Sequence, residues 1–320
     1  MKKSLRIFVF TSVLVIIYLL LCYMFTPKNN NDYGAKSYFN GRSYETEDKN
    51  TIDCVAIGNS DLYSSLIPMQ LYNDYGFTVV NCGVAKCSIN MGYSFLKGAK
   101  KDNDIKVLII EADFLYETRI TGECTQALGD MRFLASPFLY HAKWKKANLK
   151  DYFNTHKKIY DYQKGYKVSK KSYNVKYKNY MIEKNNISIP KKNLIGLEKI
   201  ISFCKKNNIE IFMYEAPSIT SWNLTKSKQV SEYCNDKKIK FIDFNLIQDE
   251  ISFDYKKDYR DNGNHLNHTG ALKITNYLGK YISENYNLDN HKNNEKYNKW
   301  DLSLMKYLSD ESVKPTKRGE

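Results

Sequence analysis

From Ile7 to Phe25 the chain reads IFVFTSVLVIIYLLLCYMF, nineteen residues without a charge. As a helix rising 1.5 Å per residue, such a run spans about 28 Å, close to the ~30 Å hydrocarbon thickness of a bilayer. Lys2, Lys3 and Arg6 precede it. The positive-inside bias keeps residues 1–6 in the cytoplasm and predicts that everything beyond Pro27 lies outside. A signal peptide has an apolar core of about 7–15 residues and a small-residue cleavage site, and this run fits neither. Leu21-Cys22 departs from a lipobox, which places a small residue before the Cys. The expectation is an uncleaved single-pass helix over 7–25, in the cell membrane, with an extracellular domain.

The rest of the chain is polar and rich in Lys, Asn and Tyr. Lys and Arg total 49 against 35 Asp and Glu, a net charge of +14. An excess of that size suits an anionic partner. Outside the cell this means lipid headgroups or an anionic envelope polymer or polysaccharide, and no nucleic-acid-binding pattern is present. Seven Cys without a CxxC pair or Cys/His cluster exclude zinc-ribbon and iron–sulfur readings. Several lie within apolar runs and read as small buried hydrophobes. No metal or organic cofactor is expected.

Residues 26–50 are polar, carry an Asn run, and read as a linker. Beyond them, short apolar runs alternate with helical periodicity. Ile52–Ile57, Phe77–Asn81, Lys106–Ile110, Ile209–Tyr214 and Ile239–Phe244 read as strands. Met91–Lys100, Leu194–Lys205 and Gly270–Tyr286 read as helices. That rhythm predicts an α/β domain over 51–288, a parallel sheet with helices on both faces. Residues 117–192 interrupt it. Between His141 and Lys192 there are fifteen Lys, seven Tyr and three acidic residues. Two readings stand: a surface for polyanion or sugar, using Lys145 and Lys146 among others, or an insertion packed through its Tyr rings. Residues 289–320 read as a polar C-terminal tail.

In an open α/β sheet, ligands gather at the carboxyl ends of the strands. The first strand ends there in Gly58-Asn59-Ser60, so a Ser hydroxyl meets the crevice with its own N–H at a helix start. A serine nucleophile needs a base, and the base needs an acid to hold its tautomer. His265, before the last helix, with Asp261 four residues upstream, supplies that pair. His268 is its decoy, read as facing solvent or the helix start, and His141, His156 and His291 read as surface residues.

Three blocks, GNSDLYSSLIP at Gly58–Pro68, VNCGVAKCS at Val80–Ser88 and DNGNHLNHTGALKIT at Asp261–Thr275, resemble the SGNH/GDSL-type hydrolases, and EAPSITSWN at Glu215–Asn223 resembles their membrane-anchored branch. The membrane-anchored branch similar to DltD and the AlgJ-like polysaccharide acetylation proteins resembles them most. The resemblance implies an SGNH (flavodoxin-like) fold, with Ser60 as nucleophile, His265 as base and Asp261 as its acid. It implies an oxyanion hole from the N–H groups of Ser60 and Gly83. Two departures stand out. The family's Asp three residues before the His is here Asn262, with Asp261 one place earlier. Its third-block Asn has no counterpart in IIEADFLYE, and Asn90 is the stand-in. Asn59, Asn267, Lys145 and Lys146 are the expected substrate contacts.

The function so implied is an extracytoplasmic serine acyltransferase or esterase acting on acyl, chiefly acetyl, esters of an envelope polysaccharide. Its implied partner is a multispanning membrane-bound O-acyltransferase. D-alanyl transfer to teichoic acid is the alternative within enzymes, and a non-catalytic polymer-binding scaffold is the alternative of another class.

Overall fold

The computed structural model describes residues 2–27, 39–118, 132–146, 161–176 and 179–313. Its contacts divide the chain into two compact units. One joins residues 1–39 to 123–160, and the other joins 40–122 to 161–320.

The larger unit is organised by side-chain alternation along its strands, β1 (Cys54–Ile57), β2 (Val79–Asn81), β3 (Val107–Glu111), β4 (Glu210–Glu215) and β5 (Lys240–Asp243). Val55, Ile57, Leu108, Ile110 and Met213 enter one apolar cluster, while Cys54, Ala56, Val107, Ile109 and Phe212 enter another. A sheet with two apolar faces must be covered on both.

Among the described residues the helices, in chain order, are α1 (Lys2–Phe25), α2 (Ser60–Ser65), α3 (Pro68–Tyr75), α4 (Ile89–Asp102), α5 (Arg132–Leu139), α6 (Lys191–Lys206), α7 (Leu224–Lys237), α8 (His268–Asn285) and α9 (Asn298–Ser309). Phe95 and Leu96 of α4, Leu197 and Ile200 of α6 and Val230 of α7 cover the first face. Leu62 of α2, Leu71 of α3 and Ile274, Leu278 and Ile282 of α8 cover the second.

The sheet is parallel throughout, in the order β2-β1-β3-β4-β5. This is the doubly wound, flavodoxin-like order, and it agrees with the fold expected from the sequence. The chain leaves β1 for β2 on one side and returns to β3 on the other. The winding reverses at the carboxyl end of β1, where Ser60 follows.

Three expectations about boundaries need correction. The end of the supposed linker is part of the larger unit: Tyr44 and Glu47 are buried, and Glu47 pairs with fully buried Lys164 at 2.8 Å. The polar tail is folded through residue 313, with Trp300 buried against Tyr72 (ring centroids 5.6 Å apart) and beneath the Lys164 ammonium. Its polarity misleads because α9 turns one narrow face, Trp300, Ser303 and Tyr307, inward. The 117–192 segment is not one insertion. Its middle belongs to the smaller unit, whereas Lys164, Tyr166, Val175 and Tyr180 are buried in the larger one. For Tyr166 and Tyr180 the packing reading holds. Tyr152, Tyr160, Lys157, Lys158, Cys124 and His156 lie outside the described residues.

Cys54, Cys82, Cys87, Cys204 and Cys234 are buried free thiols in the larger unit. In the smaller unit, α1 is long and apolar enough to cross a membrane, and its side chains face outward along most of its length.

Candidate active site

Asn59 shapes the turn out of β1. Its side-chain oxygen accepts the Asp61 N–H (2.7 Å) and caps α2, while its own N–H donates to Glu111 Oε2 (2.9 Å). Ser60 is thereby the first helical residue, where the N–H has no acceptor within the helix. Gly58 is required here, because a Cβ would lie 2.7 Å from Glu111 Cβ.

His265 arrives from the loop before α8. Its Nε2 lies 2.8 Å from Ser60 Oγ, and its Nδ1 lies 2.6 Å from Asp261 Oδ2. Both distances are within hydrogen-bond reach. The extra residue between Asp261 and His265 is absorbed in a tight turn. The Gly263 N–H donates to the Asp261 carbonyl (2.7 Å) and Gly263 takes φ +86°, a left-handed conformation that favours glycine. Asp261 Oδ1 accepts the N–H groups of Asn264 and His265, each at 2.9 Å. Burial raises the Asp261 carboxyl, but the hydrogen bonds from the His265 ring and these two N–H groups outweigh it and hold the carboxyl at about 2. It is a fixed anion beside the imidazole. Asp258, the other acid near the loop, is bound to Lys273 at 2.7 Å.

The other site residues fare differently. The Gly83 N–H already donates to Asn81 Oδ1 (3.0 Å), so it is not a ready oxyanion donor in this arrangement. The glycine has a steric reason instead: a Cβ would come within 2.9 Å of Tyr63 N and 3.0 Å of Asn59 O. Asn90 is exposed in the first turn of α4.

Asn59 is a brace rather than a substrate contact, since its Nδ2 donates to Asp113 Oδ2 (3.2 Å) as its oxygen caps α2. Asn267 is buried and caps α8, donating to the Lys257 carbonyl at 2.5 Å. Lys145 is exposed and, with Lys146, belongs to the smaller unit. Two further His readings change. His268 is the first residue of α8 but is buried, with Nδ1 3.0 Å from the Tyr166 hydroxyl, and burial lowers its pKa. His291 is buried too, 3.0 Å from Asp53 and stacked on Tyr297.

Sequence reasoning missed a group of acids beside Ser60. Asp61, Glu111 at the end of β3 and Glu215 at the end of β4 are buried, each offering an oxygen within 4.8 Å of the others. Among the described residues this trio is the set that could hold a cation. The Glu111 and Glu215 side chains both accept the Asp113 N–H (2.7 and 2.8 Å). Burial, then the Asp113 charge, lifts Glu111 to about 7. Burial, then neighbouring carboxylates, pushes Asp61 and Glu215 well up. Asp61 Oδ1 is 4.0 Å from His265 Nε2, farther than Ser60 Oγ at 2.8 Å and the Asn264 amide nitrogen at 3.1 Å.

A second missed group lies one turn along α2 from Ser60. Tyr63 has Lys167 Nζ 3.9 Å from its ring centroid and Arg260 Cζ 5.6 Å from it. A run of local sequence cannot show such a sandwich, whose members come from three distant segments.

The chemistry available at this site is the activation of a serine hydroxyl by a carboxylate-held imidazole. No family profile and no curated protein matches the chain. Solved structures that resemble it include an assigned acylhydrolase from Bacteroides fragilis (12% identity, covering 80% of this chain and 99% of that one, TM-score 0.42). Another is a GDSL-like lipase from Bacteroides thetaiotaomicron (10%, 78% and 100%, TM-score 0.40). A third is an assigned lipolytic protein of the G-D-S-L family from Desulfitobacterium hafniense (14%, 72% and 99%, TM-score 0.37).

Proposed function

We propose that this protein is a serine acyltransferase or esterase, anchored by α1 and acting outside the cell on acyl esters of an envelope polysaccharide. The observation that carries the reading is the chain of contacts from Ser60 through His265 to Asp261, 2.8 and 2.6 Å long. Ser60 Oγ attacks the acyl carbonyl carbon while His265 Nε2 takes its proton. The tetrahedral oxyanion is met by the Ser60 N–H. Gly83 adds a second donor if its N–H turns from Asn81 to the substrate. Collapse expels the donor's alkoxide, which takes the proton from His265, and leaves an acyl-serine. A hydroxyl of the acceptor polymer, or water, then gives its proton to His265, attacks the acyl-serine and regenerates Ser60.

A multispanning membrane-bound O-acyltransferase is the partner that would deliver the acyl group. The Tyr63–Lys167–Arg260 sandwich beside Ser60 supports an anionic acceptor. It also keeps a second reading in play, D-alanyl transfer to teichoic acid.

A fluorophosphonate probe should label the wild-type chain and fail on Ser60→Ala. Mild alkali should release less esterified acid from envelopes of a Ser60→Ala strain if the enzyme transfers acyl groups, and more if it hydrolyses them. Acetate as the missing acid supports the polysaccharide reading, and D-alanine supports the second. Full restoration of envelope acylation by Ser60→Ala in a deletion strain would retire both in favour of a scaffold.

A further inference from the structure

The smaller unit contains an apolar element that the chemistry at Ser60 does not use. α5 (RFLASPFL) packs through buried Ala135 and Ser136 beside the C-terminal turns of α1. Polar contacts set the register. The Tyr18 hydroxyl and the Cys22 thiol both donate to the Leu134 carbonyl (2.5 and 3.5 Å). The Thr26 and Ser136 hydroxyls share a hydrogen bond of 2.8 Å, and Lys143 Nζ donates to the Thr26 carbonyl (3.4 Å). Cys22 precedes Thr26 by about 6 Å of helix. α5 therefore runs beside the last turns of α1, and the turn at His141–Lys146 lies near its end.

The other side of α5 presents Phe133, Leu134, Phe138 and Leu139, all exposed, Phe138 at 72%. Leu19, Leu20 and Leu21 of α1 are exposed as well. The chain then reads YHAKWKK, in which Lys143 is held on the Thr26 carbonyl and Lys145 is exposed, a Lys of the kind whose stem lies along apolar surface while its ammonium meets phosphate in a headgroup layer. A groove on another protein would satisfy the apolar face but gives no reason for a Lys-rich turn at the end of α1.

We propose that α5 is an interfacial membrane helix, its Phe133–Leu139 face set among the acyl chains of the outer leaflet and the following Lys-rich turn on anionic headgroups. A helix of this kind sinks its apolar face about 5–10 Å into the boundary, which matches the span between Cys22 and Thr26. The proposal rests on the reading of α1 as an uncleaved anchor. It makes attachment two-point, so that the smaller unit is fixed in rotation about α1 as well as in depth.

The test uses the full chain, in a Cys124→Ser background, reconstituted in vesicles of phosphatidylcholine and phosphatidylglycerol with no other protein. An environment-sensitive fluorophore is placed at Phe138→Cys, and at Leu139→Cys in case the first variant misfolds. Ile16→Cys in α1 and Lys191→Cys in α6 are the reference positions. With a nitroxide near the top of the lipid chains, quenching at 138 and 139 should reach at least half that at 16, and position 191 should stay unquenched. Quenching at 16 without quenching at 138 and 139 would overturn the proposal and leave the anchor standing. A face that docks on a membrane protein would give that result. No quenching at any position would overturn the anchor reading as well.

Discussion

The two units solve the problem of apolar surface in opposite directions. In the larger one, apolar side chains from both faces of the sheet turn inward, and polar groups that follow them inside are tied in pairs: Lys164 with Glu47, His291 with Asp53, Lys226 with Asp113 at 2.6 Å. In the smaller one, Phe8, Leu20 and Phe138 face outward and the hydroxyls turn in, toward the seam between α1 and α5. An outward apolar surface needs an apolar medium; an inward polar group needs a partner. The contrast makes their sensitivities separable.

The largest effect belongs to chemistry alone. Ser60→Ala and His265→Ala should each lower acyl-ester turnover by about three orders of magnitude, roughly 4 kcal/mol in the barrier. Thermal unfolding of the larger unit should move by less than about 1 kcal/mol, since Ser60 is not a core residue. Activity assays beside melting curves check both, and a collapse in melting temperature would show the relay to be a structural brace.

Next comes the buried pair. Glu47→Gln leaves the Lys164 ammonium without its counter-ion under Trp300 and should cost about 3–5 kcal/mol, visible as a fall in denaturant midpoint. Glu47→Leu with Lys164→Met should recover most of that loss. If the single change costs under about 1 kcal/mol, the contrast drawn between the units fails at its best-buried example.

The acids under Ser60 give a smaller effect with a definite sign. Glu111 holds its proton up to about pH 7 when folded, against an ordinary value of 4.5. Between these values the folded chain binds more protons than the unfolded one, so stability should decline as the pH rises from about 4.5 to 7, by up to about 3 kcal/mol. Glu111→Gln should flatten the slope in unfolding curves measured at several pH values. Stability that instead rises across this window would show that a cation, not a proton, neutralises the trio.

The smallest effect tests the other unit. Lys145→Gln should weaken binding to phosphatidylglycerol vesicles by about 1 kcal/mol, about fivefold, and leave the melting of the larger unit unchanged. Titration of vesicles at two salt concentrations measures it.

Much of this architecture was legible in the sequence because periodicity is local. KVLII and IEIFMY mark strands whatever they pair with, and the DNGNHLN block lies next to the helix that carries it. The 2.8 Å contact of His265 with Ser60 was accessible because a wound sheet brings the carboxyl ends of its strands to one edge. What escaped is what depends on distant partners. His291 is an ordinary polar residue until Asp53, 238 positions away, lies 3.0 Å from it. Trp300 sits in a run whose composition reads as tail, and only Tyr72 and Lys164 reveal its inner face. Glu111 and Glu215 end strands where hydrophobic patterning stops being informative. Asn59 and Asn267 attracted a ligand reading because polar residues near a nucleophile do, yet both are helix caps.

The relay joins positions 205 apart in the chain. Ser60 leaves the ribosome early, in the first fifth of synthesis, and for most of the time that follows it is an ordinary alcohol. His265 and Asp261, its partners in the relay, come from the last quarter of the polypeptide. They cannot dock until β4 and β5 have joined the sheet, and the residues around Trp300 that complete the core come later still. A ribosome-bound chain, or one cut before Asp261, therefore carries Ser60 without its two partners. Under the proposed function, reactivity and completeness would arrive together.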